Sequence, residues 1–126
     1  MIDFYKQIIL HLEVLMQQND LITDIFIIKK DNKLTGFQFS NNVEKVVLRN
    51  GEYIEQGSII ELYLKAKNEL GINNRSAMIK ALRIVNNLTQ NELAKKLGIT
   101  KQEIYRWENG VKPNEMVYET ILKHFE

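Results

Sequence analysis

Helix punctuation between residues 88 and 114 constrains this chain more than any other feature of its sequence. Thr89 stands three residues ahead of Glu92, and Thr100 three ahead of Glu103. A Thr followed by Glu at that spacing is a capping-box pattern, in which each side chain satisfies a backbone N–H that the first helical turn leaves without a partner. Gly98 and Gly110 follow these stretches, where a left-handed residue ends a helix. The spacing predicts one short helix over 90–97, a turn at Gly98-Ile99-Thr100, and a second helix reaching Asn109. Ahead of them, Met78, Leu82 and Val85 share one face of a helix over 76–85 that stops at Asn86-Asn87-Leu88. A last helix starts at Asn114, just behind the single proline Pro113, and carries Val117, Ile121, Leu122 and Phe125 back to the core.

The first part of the chain has a different rhythm. Phe4, Ile8, Leu12, Leu15 and Met16 recur at helical spacing over residues 2–18, which predicts an amphipathic helix. From Asp24 the run Ile25-Phe26-Ile27-Ile28 reads as a strand, Asp31-Asn32-Lys33 as a turn, and Leu34 to Phe39 as its hairpin partner. After a break at Asn41-Asn42, Val43 to Leu48 is expected to form a third strand, with Asn50-Gly51 as a hairpin turn between Val46-Val47-Leu48-Arg49 and Glu52-Tyr53-Ile54 because Asn-Gly suits the positive φ angles of tight hairpins. Ser58 and Glu61 form another capping pattern, opening a helix over 59–70 that Gly71 ends. The expected fold class is an α+β N-terminal domain (helix, small antiparallel sheet, helix) followed by an all-α domain, divided into 1–72 and 73–126.

Charge separates along the same line. Residues 1–72 carry eight Lys and Arg against ten Asp and Glu, a net of −2, and residues 73–126 carry nine against six, a net of +3. The second part is therefore the one suited to a polyanion. With no cysteine and two histidines, His11 and His124, the chain has no disulfide framework, and neither a metal site nor a cofactor is expected. The longest apolar run is four residues, far short of the roughly 20 that span a bilayer, so a cytoplasmic protein without membrane contact is expected. None of the phosphate-loop, dinucleotide, zinc-protease or nucleophile-elbow motifs occurs, and the chain is expected not to be an enzyme.

The run Leu88-Thr89-Gln90-Asn91-Glu92-Leu93-Ala94-Lys95-Lys96-Leu97-Gly98-Ile99-Thr100, followed by Ile104, Trp107, Glu108, Asn109 and Gly110, closely resembles the Cro/C1-type (XRE) helix-turn-helix family. Each specified position of that family's L-T-Q-x-x-L-A-x-x-L-G-[IV]-[ST]-x-x-x-[IV]-x-x-[WIL]-E-x-G pattern is matched, and the resemblance extends over about residues 76–125. It implies a recognition helix in the major groove of double-stranded DNA. Thr100, Lys101, Gln102, Tyr105 and Arg106 then belong to the reading element. Gln102 suits adenine, and Arg106 or Lys101 suits guanine. Two roles are open to Tyr105: contact with a thymine methyl or phosphate, and cover over Trp107. Gln90 matches the family's phosphate-clamping glutamine, at a helix N-terminus that favours an anion. Asn109 and Lys112 follow the recognition helix as backbone contacts, which set register without reading sequence. Arg83 and Glu108 match a structural ion pair of the family.

The resemblance further implies a homodimer on a palindromic operator, with half-sites roughly 34 Å apart. One helix is expected after the recognition helix where many relatives add more, so dimerisation is assigned to that helix or to residues 1–72. Residues 1–72 resemble no known family and are the expected site for a protein partner or small effector. The first reading is a transcriptional regulator acting as a repressor. The alternative is an antitoxin-like or phage-type inhibitor, whose N-terminal domain neutralises a partner while the helix-turn-helix autoregulates its operon.

Overall fold

A computed structural model describes residues 2–18, 25–39 and 43–126. The elements run α1 (Ile2–Gln17), β1 (Ile25–Lys30), β2 (Lys33–Gln38), a 3-10 turn (Val43–Lys45), β3 (Tyr53–Gly57), α2 (Ile59–Glu69), α3 (Asn74–Val85), α4 (Gln90–Leu97), α5 (Lys101–Glu108) and α6 (Glu115–His124). A helix and a three-stranded antiparallel sheet thus lead into an all-helical C-terminal region. Among the described residues no helix is long and apolar enough to cross a membrane. The expected break at Asn41-Asn42 and the change of period at Asp24 lie outside the described residues.

The sheet order is β2-β1-β3, with β1 paired to both neighbours. Its hairpin turns on Asp31 and Asn32, both left-handed at φ 53° and 62°, between the paired Lys30 and Lys33. Two successive positive φ values define the I′ turn, whose twist matches the strands it joins. The expected third strand over 43–48 does not form. Val43–Lys45 is a 3-10 turn, and residues 46–49 are irregular. At Asn50-Gly51 only Gly51 has a positive φ, 83°, and Glu52 N–H donates to Arg49 O at 3.0 Å. A turn left-handed at its third residue alone is type II, which splays flanking strands. The third strand is therefore Tyr53–Gly57, laid antiparallel along β1 with Ile25 opposite Gly57 and Ile28 opposite Ile54.

Two apolar cores fill the molecule. The first joins Tyr5, Ile8, Leu12 and Met16 of α1 to Ile25 and Ile27 of β1, Leu34 of β2, and Ile59, Leu62 and Tyr63 of α2. The buried face of α1 is turned from the expected stripe, since Tyr5 and Ile9 are inside and Phe4 faces out. The second core gathers Leu93, Ala94, Ile104, Trp107 and Ile121. Helix α3 belongs to both: Ala77, Ala81 and Ile84 face the first core, Ile79 the second. Its small side chains let α1 and α2 pack closely on it, as interior packing density demands.

A buried cation lies in this framework. Lys67 of α2 is 8% exposed, its Nζ 5.3 Å from the centroid of the Tyr63 ring, and no carboxylate among the described residues pairs with it. Burial, reinforced by the charge of Lys80, holds its ammonium below the ordinary lysine range; Glu13 and Glu108 oppose this only in part. A group with a depressed folded pKa loses stability as pH falls through that value. Stability therefore rises with pH from the lowered value up to the ordinary 10.5. Lys67→Met keeps the packed stem and removes the charge. It should raise stability by about 1 kcal/mol at neutral pH and abolish that alkaline rise, both read from thermal melts across pH.

Candidate nucleic-acid interface

Helix α4 starts from a reciprocal cap. Thr89 Oγ1 accepts from Glu92 N–H at 3.1 Å, and Glu92 Oε1 accepts from Thr89 N–H at 3.0 Å. The Thr89 N–H, helped by the Thr89 hydroxyl, holds the Glu92 carboxyl below its usual range. The helix stops at Gly98, left-handed at φ 70°, where Ile99 N–H reaches back to Ala94 O at 3.0 Å. A side chain at Gly98 would meet no neighbour within 4 Å, so backbone conformation alone calls for glycine there. Thr100 then caps α5 by accepting from Glu103 N–H at 3.3 Å. Ser58 accepts likewise from Glu61 N–H, yet of these three helix starts the reciprocal box is complete at Thr89 alone.

Helix α5 is divided cleanly by face. Ile104 is fully buried, Trp107 and Glu108 nearly so, and Lys101, Gln102, Tyr105 and Arg106 are exposed. The buried positions fall at i, i+3 and i+4, one face of a helix, which leaves the other four side chains as an outward stripe. Lys101, Gln102 and Tyr105 line a shallow concavity together with Gln90, the first residue of α4. Arg106 lies outside that concavity and donates from Nη1 to Glu103 Oε1 at 3.0 Å.

Beneath the stripe an ion pair locks three helices. Arg83 of α3 donates from Nε to Glu108 Oε2 at 2.6 Å and from Nη2 to Glu108 Oε1 at 2.9 Å. Its Nη1 donates to Leu88 O at 2.9 Å, just ahead of α4. Gln90 Nε2 donates to Glu108 Oε1 at 3.3 Å. The Glu108 side chain is 2% exposed and that of Arg83 15%. Five sequence-predicted residues thus have internal duties: Arg83, Glu108 and Gln90 around the ion pair, Thr100 in the cap, and Asn109, whose Nδ2 donates to Tyr105 O at 2.7 Å.

Lys112 is exposed on a segment held by two residues that sequence reasoning missed. Asn73 Nδ2 donates to Gly110 O at 3.1 Å, and Arg75 Nη1 donates to Pro113 O at 2.9 Å. The Arg75 guanidinium also sits 5.5 Å from the centroid of the Tyr118 ring. Asn73 is the N-cap of α3, its Oδ1 accepting from Ser76 N–H at 2.8 Å, so the Asn-x-x-Ser spacing carried a signal. Arg75 carried none, because its partner is far away in sequence. Among the described residues no group of His, Cys, Asp and Glu is placed to hold a metal ion.

Residues 79–126 match a family model described as helix-turn-helix. The match begins inside α3 and takes in α4, α5 and α6; no family model matches the region ahead of it. No curated protein and no solved structure gives a significant match to the chain.

Proposed function

We propose, from a C-terminal region that is a DNA-binding helix-turn-helix of the Cro/C1 type, that this chain is a sequence-specific repressor acting as a homodimer on a palindromic operator. The observation that carries the reading is the outward stripe of α5. Lys101, Gln102, Tyr105 and Arg106 are exposed together on a helix whose opposite face is fixed by Ile104, Trp107 and Glu108. In a major groove, Gln102 pairs with adenine N6 and N7, and Arg106 or Lys101 with guanine O6 and N7. Gln90 at the head of α4 meets a phosphate where helix-end N–H groups already favour an anion. Asn109 and Lys112 serve the backbone further along. Residues 1–72 form the dimerisation, effector or partner-binding unit in this reading, and residues 73–126 the DNA-binding one.

The test is binding of the purified protein to duplex from upstream of its own gene and to a scrambled duplex, at two salt concentrations. Preference for the upstream duplex of about a thousandfold supports the reading. Equal, weak and steeply salt-dependent binding to both counts against it. Two variants separate reading from positioning. Arg106→Ala should lose about 1–3 kcal/mol on the specific duplex and relax preference at one base pair. Lys112→Ala should weaken binding to all sequences alike and flatten the salt slope by about one unit.

One observation favours the second reading, an antitoxin-like inhibitor. Helix α1 turns Phe4, Leu10 and Val14 outward, with Leu10 65% exposed, and apolar surface of this kind marks protein interaction sites. The last helix offers a rival surface for self-association in Met116, which is 78% exposed. A stable complex of the full chain, made through residues 1–72, with the product of a neighbouring gene favours inhibition. A homodimer that suffices for operator control favours the repressor.

A further inference from the structure

We propose that Glu103 is the positioning residue for Arg106, and through it a determinant of which base pair α5 selects; the inference rests on the DNA-binding reading above. The chain carries the Thr-x-x-Glu pattern at two successive helix starts, and the two glutamates have different fates. Glu92 returns its carboxylate to the Thr89 N–H. Glu103 keeps the backbone half of the motif, its N–H on Thr100, but its carboxylate accepts from Arg106 Nη1 at 3.0 Å instead. The pair lies on one face of α5 at i and i+3, where side chains meet.

Such a pair contributes little to stability, since its side chains are 58% and 40% exposed. Its consequence lies elsewhere. A guanidinium on a long flexible stem loses rotamer freedom when it docks on a base, and a neighbour that fixes it beforehand reduces that loss. With Nη1 engaged by Glu103, the Nε and Nη2 hydrogens form the remaining two-donor edge, the number that guanine O6 and N7 accept. Glu103 also sets a negative charge beside a surface meant for phosphate, so by itself it weakens binding to every sequence alike. Removing its charge should therefore move two quantities in opposite directions: sequence-independent affinity rises and preference at one base pair falls.

The experiment selects binding duplexes from a randomised pool with the full chain and with Glu103→Gln, Arg106→Ala and the double variant. Preference at each base pair is then measured by competition. Expected is one position where Arg106→Ala loses most of its preference and Glu103→Gln loses about fivefold. The double variant loses no more than Arg106→Ala, the melting temperature of Glu103→Gln equals that of the parent, and its affinity for unselected duplex rises. Retention of the parent's preference by Glu103→Gln at that position overturns the inference, and so does a loss at a different position, which would make Glu103 a reader in its own right. A lowered melting temperature with an unchanged ranking of base pairs also overturns it, by reducing Glu103 to a cap. A parent that enriches no sequence at all overturns the DNA-binding reading itself, a failure separate from the others.

Discussion

Glu108→Ala should lower the stability of the protein by about 3 kcal/mol. The carboxylate it removes accepts from Arg83 Nε, Arg83 Nη2 and Gln90 Nε2 in a site where it is 2% exposed. Deleting one member of a nearly dry pair leaves the other charged and short of partners, and this desolvation cost exceeds the net worth of the pair itself. Arg83 would keep only its bond to Leu88 O. For a chain of 126 residues the melting temperature should fall by about 10 °C. The double variant Arg83→Met/Glu108→Leu should recover most of the loss, because two apolar side chains of similar reach carry no charge to desolvate. Thermal unfolding of the three proteins side by side provides the check. A Glu108→Ala protein melting within a degree or two of the parent would show that this pair holds nothing together.

The second large effect is expected at Ile104. It is fully buried and, with Trp107, supplies the apolar anchor of α5 in the second core. Ile104→Ala removes its outer carbons from a packed site and leaves a cavity, at a cost of about 3 kcal/mol, whereas Ile104→Val costs about 1 kcal/mol. Urea unfolding midpoints measure both. The contrast with Arg106→Ala is diagnostic. The arginine is exposed, so its loss should leave the midpoint in place while changing DNA preference. Ile104→Ala should move the midpoint first, and affinity only because α5 no longer holds its roll against α3 and α4.

The helices of this chain were legible because their ends are written in local chemistry. Thr89, Gly98, Thr100 and Asn114 act within one turn of themselves, and a reader of sequence needs no tertiary information to place them. Helix α3 begins two residues before its expected start because Asn73, within a polar run that resembles a linker, is its cap. The sheet was harder to read. The hairpin at Asp31-Asn32 formed as read, but Asn50-Gly51, a strong hairpin signal, joins no pair of strands, and β3 found its partner across a long connection. The exposed stripe of α5 followed from helical periodicity and the family resemblance. The tethers from Asn73 and Arg75 to Gly110 and Pro113 did not, since they exist only once α3 and the segment after α5 lie side by side.

Helix α3 lends one flank to each core, and that sharing bears on how the chain can be divided. Starting a fragment at Asn73 would spare every residue of the reading stripe, yet it would strip α1 and α2 from Ala77, Ala81 and Ile84 and expose a fresh greasy strip to water. Ending one at Ile72 would uncover the matching strip on α1 and α2. Either piece would have reason to aggregate or to seek a substitute neighbour, a confounder in any experiment on isolated halves. The smallest segment with both flanks of α3 covered runs from α1 through α6.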